Sequence, residues 1–401
     1  MSAEPHSSAG PKPLVSRTFH RYAVSLAVMT VLLIWWGAAT TTKQAGMAFA
    51  DWPLSLGSVN PPGWLENMVP FLEHSHRLLA TVVGIMTLIL FAWAYIRRGV
   101  QAVEVAALVV WLALTFGLFV AGGAERQDAG RKQMLFLLGS AAGLGPIFWL
   151  IWSWRRRRWP LVVRLSALAL LLVTAQAILG GVRVTEVSDT FAVIHGCVAQ
   201  GFFCLIILIG MITSPRWGQK RDRVGDDHIR VARLASTGLV FAIVIQLILG
   251  ALMRHHHRSG LADTGIVLTN GRLFPGFESE ILLLMFAHKY WAVVVFIGGL
   301  AFARWLWTRM DLPAGLVRQG ILVATLMIAQ IALGVFVILT GSPEHKKFWI
   351  TNFHVLNGLA ILAIAFGLSV RCWFAGRREA LLEEFVRSRS GARGSLPAAG
   401  A

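Results

Sequence analysis

Acidic side chains are scarce in this chain: Asp and Glu number 20 against 37 Lys and Arg, and charged residues of both signs make up only 14% of its 401 residues. Cysteine is scarcer still. The three present, Cys197, Cys204 and Cys372, form no CxxC motif and no loop pair, which argues against thiol redox chemistry. The polar N-terminal 19 residues contain no short apolar stretch followed by a small-residue cleavage site, so no cleaved signal peptide is expected. What the chain has instead is 56% hydrophobic residues, gathered into stretches that reach the roughly 20 residues needed to cross a bilayer core. The net charge of +17 does not imply nucleic acid, because Lys and Arg cluster in short segments between apolar runs, as topology determinants do.

Ten spans are expected: Tyr22 to Ala39, Pro70 to Ile96, Val100 to Val120, Met134 to Trp154, Leu161 to Gly181, Phe191 to Ile212, Val231 to Met253, Ile281 to Leu306, Leu316 to Thr340 and Trp349 to Phe374. In lipid the main chain must satisfy its own hydrogen bonds, so each span is read as a helix. With the N-terminus cytoplasmic, the inner segments and adjoining helix ends hold 25 of the 37 basic residues, among them Arg97, Arg98, Arg155 to Arg158, Arg216, Lys220, Arg221 and Arg223. Both termini are therefore expected inside.

The elements Gln176 to Gly180, Gln246 to Gly250 and Gln330 to Gly334 share a Gln-x-x-Leu-Gly pattern near the outer ends of spans, where small residues permit close helix approach. Spacing turns this pattern into a repeat. Gly37 precedes His76 by 39 residues and Gly250 precedes His288 by 38, while Gly180 precedes His195 by 15 and Gly334 precedes His354 by 20. The first histidines of the two halves are 212 residues apart and the second 159, and the difference of 53 is about the length of spans three and four with their loop. The expected fold is therefore all-α: two tandem four-helix units with an inserted helical hairpin, about ten transmembrane helices in all. The boundaries are a cytoplasmic tail at 1–21, a first unit at 22–213 with the insertion at 100–154, a cytoplasmic linker at 214–230, a second unit at 231–374 and a cytoplasmic tail at 375–401.

Under this topology His76, His195, His288 and His354 all enter from the outer face, roughly 6 to 11 Å below their helix starts at ~1.5 Å per residue. One intramembrane histidine is readily a hydrogen-bonded packing residue. Four at matching depth, two per unit, form a geometry that can clamp a planar macrocycle with one nitrogen on each side of an iron, which points to two hemes. Glu73 lies three residues before His76 on the same helix face; it is either a working carboxylate or an interfacial acid exposed to water. His74 points elsewhere and is not expected to be a ligand. Arg77, Arg183, Arg254 and Lys289 sit at outer helix ends, where pairing with heme propionates and interfacial snorkelling are both open. His255, His256 and His257 are consecutive in an outer segment without a Cys pair and read as solvent-exposed, and His345 beside Lys346 is uninformative. In the outer loops Thr40 to Val69 and Arg254 to Glu280, Trp52 and Trp64 read either as interfacial anchors or as part of a cover.

Glu73-His74-Ser75-His76-Arg77-Leu78 resembles the Glu-x-x-His-Arg signature of heme A synthases, and Asp51-Trp52-Pro53 resembles the loop before it. The stretch Gln176 to Gln200 is similar as well, as are Gly250 to His255 with Gly260-Leu261-Ala262, Ala287-His288, and Leu333-Gly334 with His354. The likeness covers both repeats and most of the chain outside Val100 to Trp154. It implies oxidation of the C8 methyl of heme O to a formyl group through a hydroxymethyl stage and a geminal diol that loses water. It further implies that His288 and His354 ligate a resident heme b, that His76 and His195 hold heme O, and that Glu73 is the catalytic acid. Heme O synthase and terminal oxidase assembly factors become expected partners, beside an unidentified electron donor and membrane lipids, in a bacterial cytoplasmic membrane with the heme sites toward its outer face. Three features depart from the family: ten spans where eight are usual, Lys289 where Arg commonly follows the histidine, and no outer-loop cysteine pair to relay electrons. The rival reading is a non-catalytic bis-histidine heme b electron-transfer protein or heme carrier. Ligands on a single face and the placement of Glu73 weigh against it. A transporter is weaker, as no broken helix or ion-binding cluster is evident.

Overall fold

In the computed structural model the chain is described over residues 16–96, 102–157, 159–215, 217, 226–256, 262–309, 312–342 and 347–374. Arg97, Arg98, Arg158, Arg216, Lys220, Arg221, Arg223, His257, Gly260, Leu261, His345, Lys346 and the outer parts of both tails lie outside the described residues. Among the described residues the structure is helical, with no strands beyond two isolated bridges: α1 (Arg17–Thr42), α2 (Met68–Ile96), α3 (Ala102–Ala124), α4 (Ala129–Arg157), α5 (Leu161–Thr185), α6 (Asp189–Ile212), α7 (Asp226–His256), α8 (Glu280–Trp307), α9 (Ala314–Thr340) and α10 (Phe348–Phe374). All ten are long and apolar enough to cross a membrane. The chain is an integral membrane protein.

Hydropathy marks only the apolar middle of a helix, so several helices begin earlier than the expected spans, in polar turns that carry their own caps. Ser16 accepts a hydrogen bond from the Phe19 amide at 3.2 Å, and Ser188 accepts from the Phe191 amide at 3.3 Å. With the true starts, the histidines lie eight residues beyond Met68, six beyond Asp189, eight beyond Glu280 and six beyond Phe348. The repeat is thus more regular than the expected spans suggested.

Helices α1, α2, α5 and α6 close a ring in which each packs on its sequence partner and on one helix of the other pair, and α7, α8, α9 and α10 close an equivalent ring. Each ring has its own core. Leu26, Leu90, Phe91, Tyr95 and Ile206 fill the first, and Leu239, Ile243, Leu306, Val323 and Leu362 fill the second. The rings meet where α10 packs on α1 and α6, and α7 on α6. Helices α3 and α4 pack chiefly on each other, with α3 also against α5. Because lipid tails are as apolar as leucine, close approach rather than water exclusion holds such pairs together, and glycine permits it. A side chain at Gly122 would meet the Phe136 ring at 2.8 Å, and one at Gly139 the Phe119 ring at 3.0 Å.

The repeat extends into the long loops. Ser55 and Ser58 exchange main-chain hydrogen bonds of 3.1 and 3.0 Å, and Thr269 and Arg272 do the same at 2.8 and 3.1 Å. Between them lie left-handed residues, Leu56 (φ 52°) with Gly57 (φ 69°), and Asn270 (φ 53°) with Gly271 (φ 71°), the torsions that a tight two-residue hairpin demands. Leucine is a costly choice there. The Asp51 carboxylate holds that turn, accepting from the amides of Leu56 at 2.9 Å and Gly57 at 2.7 Å.

Candidate functional site

In α1, α5, α7 and α9 a glycine faces the histidine carried by the next helix of the same ring. A β-carbon built at Gly37 would lie 2.9 Å from Cε1 of His76, at Gly180 3.2 Å from that of His195, at Gly250 3.0 Å from that of His288, and at Gly334 3.3 Å from that of His354. The glycines found in the sequence by spacing therefore seat the histidines directly. His76 and His195 lie within electrostatic range of each other, as do His288 and His354, so each ring of helices brings its two imidazoles together. Nδ1 of His76, His195 and His354 is buried with no hydrogen-bond partner.

The glutamine four residues before each glycine was legible in the Gln-x-x-Leu-Gly pattern, but its contact with histidine was not. The Gln176 amide donates to the His195 carbonyl at 3.1 Å. That of Gln246 donates to the His288 carbonyl at 3.1 Å and sits 3.2 Å from both of its ring nitrogens. The Gln330 amide lies 3.2 Å from Nε2 of His354, with its oxygen fixed by a 2.7 Å hydrogen bond from Asn357. In α1 the corresponding residue is Leu33, so the His76 seat alone lacks the amide.

Glu73 is 3% exposed, which overturns the water-exposed reading. Oε1 pairs with Arg77 at 2.6 Å, and Oε2 accepts from the main-chain amide of Phe49 at 3.1 Å. Arg77 also donates to the carbonyls of Asp51, Leu54 and Phe49, binding the loop to α2. His74, 3% exposed, pins the same loop through Ser55 Oγ at 3.0 Å and the Val59 carbonyl at 2.9 Å, which fits the expectation that it is not a ligand. Trp52 inserts against Gly181 of α5 and lies edge-on to Phe116 of α3, and Trp64 stacks on Phe71. The first long loop is therefore folded onto the helix ends as a cover. Burial raises the Asp51 pKa, but the amides of Gly57 and Leu56 and the nearby Arg77 outweigh it and hold the carboxyl below its usual range.

The four basic residues divide by position. Arg77 and Arg183 are within electrostatic range of His76, Arg183 is also in range of His195, and Arg254 is in range of His354. Arg183 donates to the Gly46 carbonyl at 3.3 Å. Lys289 ties the second loop as Arg77 ties the first, reaching the carbonyls of Gly265 at 3.0 Å and Leu268 at 2.9 Å, and Asp263 at 3.5 Å. Arg254 leaves its own ring altogether: it donates to the Ala38 carbonyl and to Thr42 Oγ1 on α1. His255 is half-buried at the end of α7.

Among the described residues no three or more His, Cys, Asp or Glu side chains gather as a metal cluster. A pair of buried imidazoles per ring suits an iron that draws its remaining donors from a macrocycle, and Nδ1 of His76, His195 and His354 is not taken up by the protein's own hydrogen bonding.

A family model described as cytochrome oxidase assembly protein, COX15-CtaA, matches residues 137–376. The heme A synthase of Beijerinckia indica subsp. indica is 25% identical over 392 residues, covering 90% of this chain and 94% of that protein. That of Sphingopyxis alaskensis is 23% identical over 405 residues, covering 94% and 97%. A protoheme IX farnesyltransferase of Haloarcula marismortui is 32% identical over 125 residues, covering 30% of this chain and 26% of that protein.

Proposed function

The chain belongs to the COX15-CtaA family of cytochrome oxidase assembly proteins, and we propose that it is a heme A synthase that oxidises the C8 methyl of heme O to a formyl group. The observation that carries the division of labour is an asymmetry between otherwise equivalent seats. Three residues before His76 stands the buried, ion-paired Glu73, whereas three residues before His288 stands the buried Met285. The first ring is accordingly the substrate site, with His76 and His195 holding heme O, and the second is the resident site, with His288 and His354 as ligands of heme b.

When bound, heme b supplies one-electron transfer to the substrate site. The protein's contribution is to orient and to exclude water. The cover formed by Asp51, Trp52 and Trp64 closes the outer end of the first ring. The Glu73 carboxylate is placed to stabilise positive charge that develops as the methyl carbon is oxidised. Its pairing with Arg77 and the Phe49 amide fixes it in place. Arg77 and Arg183 stand as propionate partners on the first side, with Arg254 and Lys289 on the second. The excess of basic residues in the segments at one end of the helices supports cytoplasmic termini in a bacterial inner membrane, with the heme sites outward. Heme O synthase and the terminal oxidase assembly machinery are the partners that this reaction requires, since one supplies the substrate and the other consumes the product.

The test is co-expression with a heme O producer, followed by pigment extraction and mass analysis. Heme A in the extract is the expected result. Heme b with unconverted heme O would instead identify an electron-transfer protein or carrier.

A further inference from the structure

Reading the four histidines as iron ligands leaves unexplained why the same ring atom meets the same missing side chain four times. The contact recurs at 2.9, 3.2, 3.0 and 3.3 Å although the intervening loops differ in length and fold. Close packing of helices does not require it. Gly84, Gly196, Gly238 and Gly298 also lie in spanning helices and face nothing within 4 Å.

The main-chain carbonyl that each ring approaches belongs to the residue four before its glycine: Leu33 for His76, Gln176 for His195, Gln246 for His288 and Gln330 for His354. In an α-helix that carbonyl already accepts the glycine's own N–H. A second donor can come at it only from the side, past the position a β-carbon would fill. The amide of Gln330, its orientation set by Asn357, steadies the same ring from the side by presenting N–H to Nε2 of His354.

We propose that Gly37, Gly180, Gly250 and Gly334 are positioning residues, each opening a slot that seats an imidazole edge-on against the helix. The slot turns the Cε1 edge of the ring toward the helix and so fixes the plane in which the imidazole can meet iron. The arrangement does by packing what an outer-shell hydrogen bond does for a metal-bound histidine, fixing the orientation of the ring. A methyl group in the slot pushes the ring off the carbonyl and rotates its plane. The displacement is greater at Gly250 than at Gly334, where the ring need yield only a few tenths of an ångström.

The experiment uses purified full-length protein and the second ring, whose heme is resident. Low-spin ferric EPR and a redox titration are recorded for wild type, Gly250→Ala, Gly334→Ala and the control Gly238→Ala. Both slot variants are expected to shift the largest g value and the midpoint potential, Gly250→Ala by more, while the control matches wild type. If Gly250→Ala does not fold, the milder Gly334→Ala decides. A bis-histidine signal in wild type that persists unshifted in the slot variants, or that moves equally in the control, overturns the slot. Wild type without a six-coordinate heme overturns the ligand reading on which the slot rests.

Discussion

The two rings of helices have the same plan and differ in what they bring to it. Each contains two glycine-seated histidines, a long loop that contains a left-handed hairpin turn, and a basic residue after the first histidine that ties that loop down. The first ring alone carries Glu73, where the second has Met285, and it alone lacks a glutamine at one seat, where Leu33 stands. The shared parts are those that fix geometry. The divergent parts are those that add charge or remove a clamp, so the two rings share the holder and differ in the chemistry beside it.

The comparison breaks most visibly at the ligands. His288→Ala or His354→Ala should abolish the six-coordinate heme b spectrum of purified protein, whereas His76→Ala and His195→Ala should keep it and lose heme A in pigment extracts. Loss of the resident spectrum from the first-ring variants would reverse the assignment of the rings. Glu73→Gln keeps side-chain size and removes charge. It should lower heme A formation on the order of 100-fold while leaving heme b in place, with heme O or its hydroxylated form accumulating. Wild-type heme A output from this variant would remove the catalytic role.

Arg254 sharpens the comparison at the seam. It lies four residues beyond Gly250, and its counterpart Thr41, four beyond Gly37, turns back to the Gly37 carbonyl at 3.1 Å. Of these two counterparts, Arg254 is the one that reaches the other ring. Arg254→Ala should cost about 2 kcal/mol through the lost hydrogen bonds, read as a melting midpoint several degrees lower in detergent. Thr41→Ala should be near neutral.

The smallest effect concerns the first cover. Because the folded pKa of Asp51 is depressed, its stabilisation of the turn is present above the ordinary carboxylate range and is lost as pH falls through the lower, folded value. Proteolysis of the loop around Leu56 should therefore accelerate in acid. Asp51→Asn should give fast cleavage at neutral pH with little further change on acidification.

The spans and the depth of the histidines were legible because hydropathy and glycine spacing report local helical geometry. The sites themselves were read only in part. Glu73 could be read in sequence as a working carboxylate or as a surface acid, because the Phe49 amide that covers it comes from a loop 24 residues away that folds back over α2. Trp52 read equally well as an interfacial anchor, since nothing near it in sequence announces the cleft at Gly181. The reach of Arg254 onto α1 spans 216 residues and leaves no local trace. The glutamines leave a trace in the Gln-x-x-Leu-Gly pattern, but the small residues beside them point to helix packing rather than to donation toward histidine.

The hairpin α3–α4 interrupts the first unit in sequence without opening its ring, because α2 still packs on α5. The end at which α3 turns into α4 nevertheless touches the cover, through Arg126 on the Ala50 carbonyl at 3.0 Å and Phe116 against Trp52. Two helices outside the ring thus act as a buttress for a loop that belongs to it. Residues with no counterpart in the second half support the half in which the acid resides.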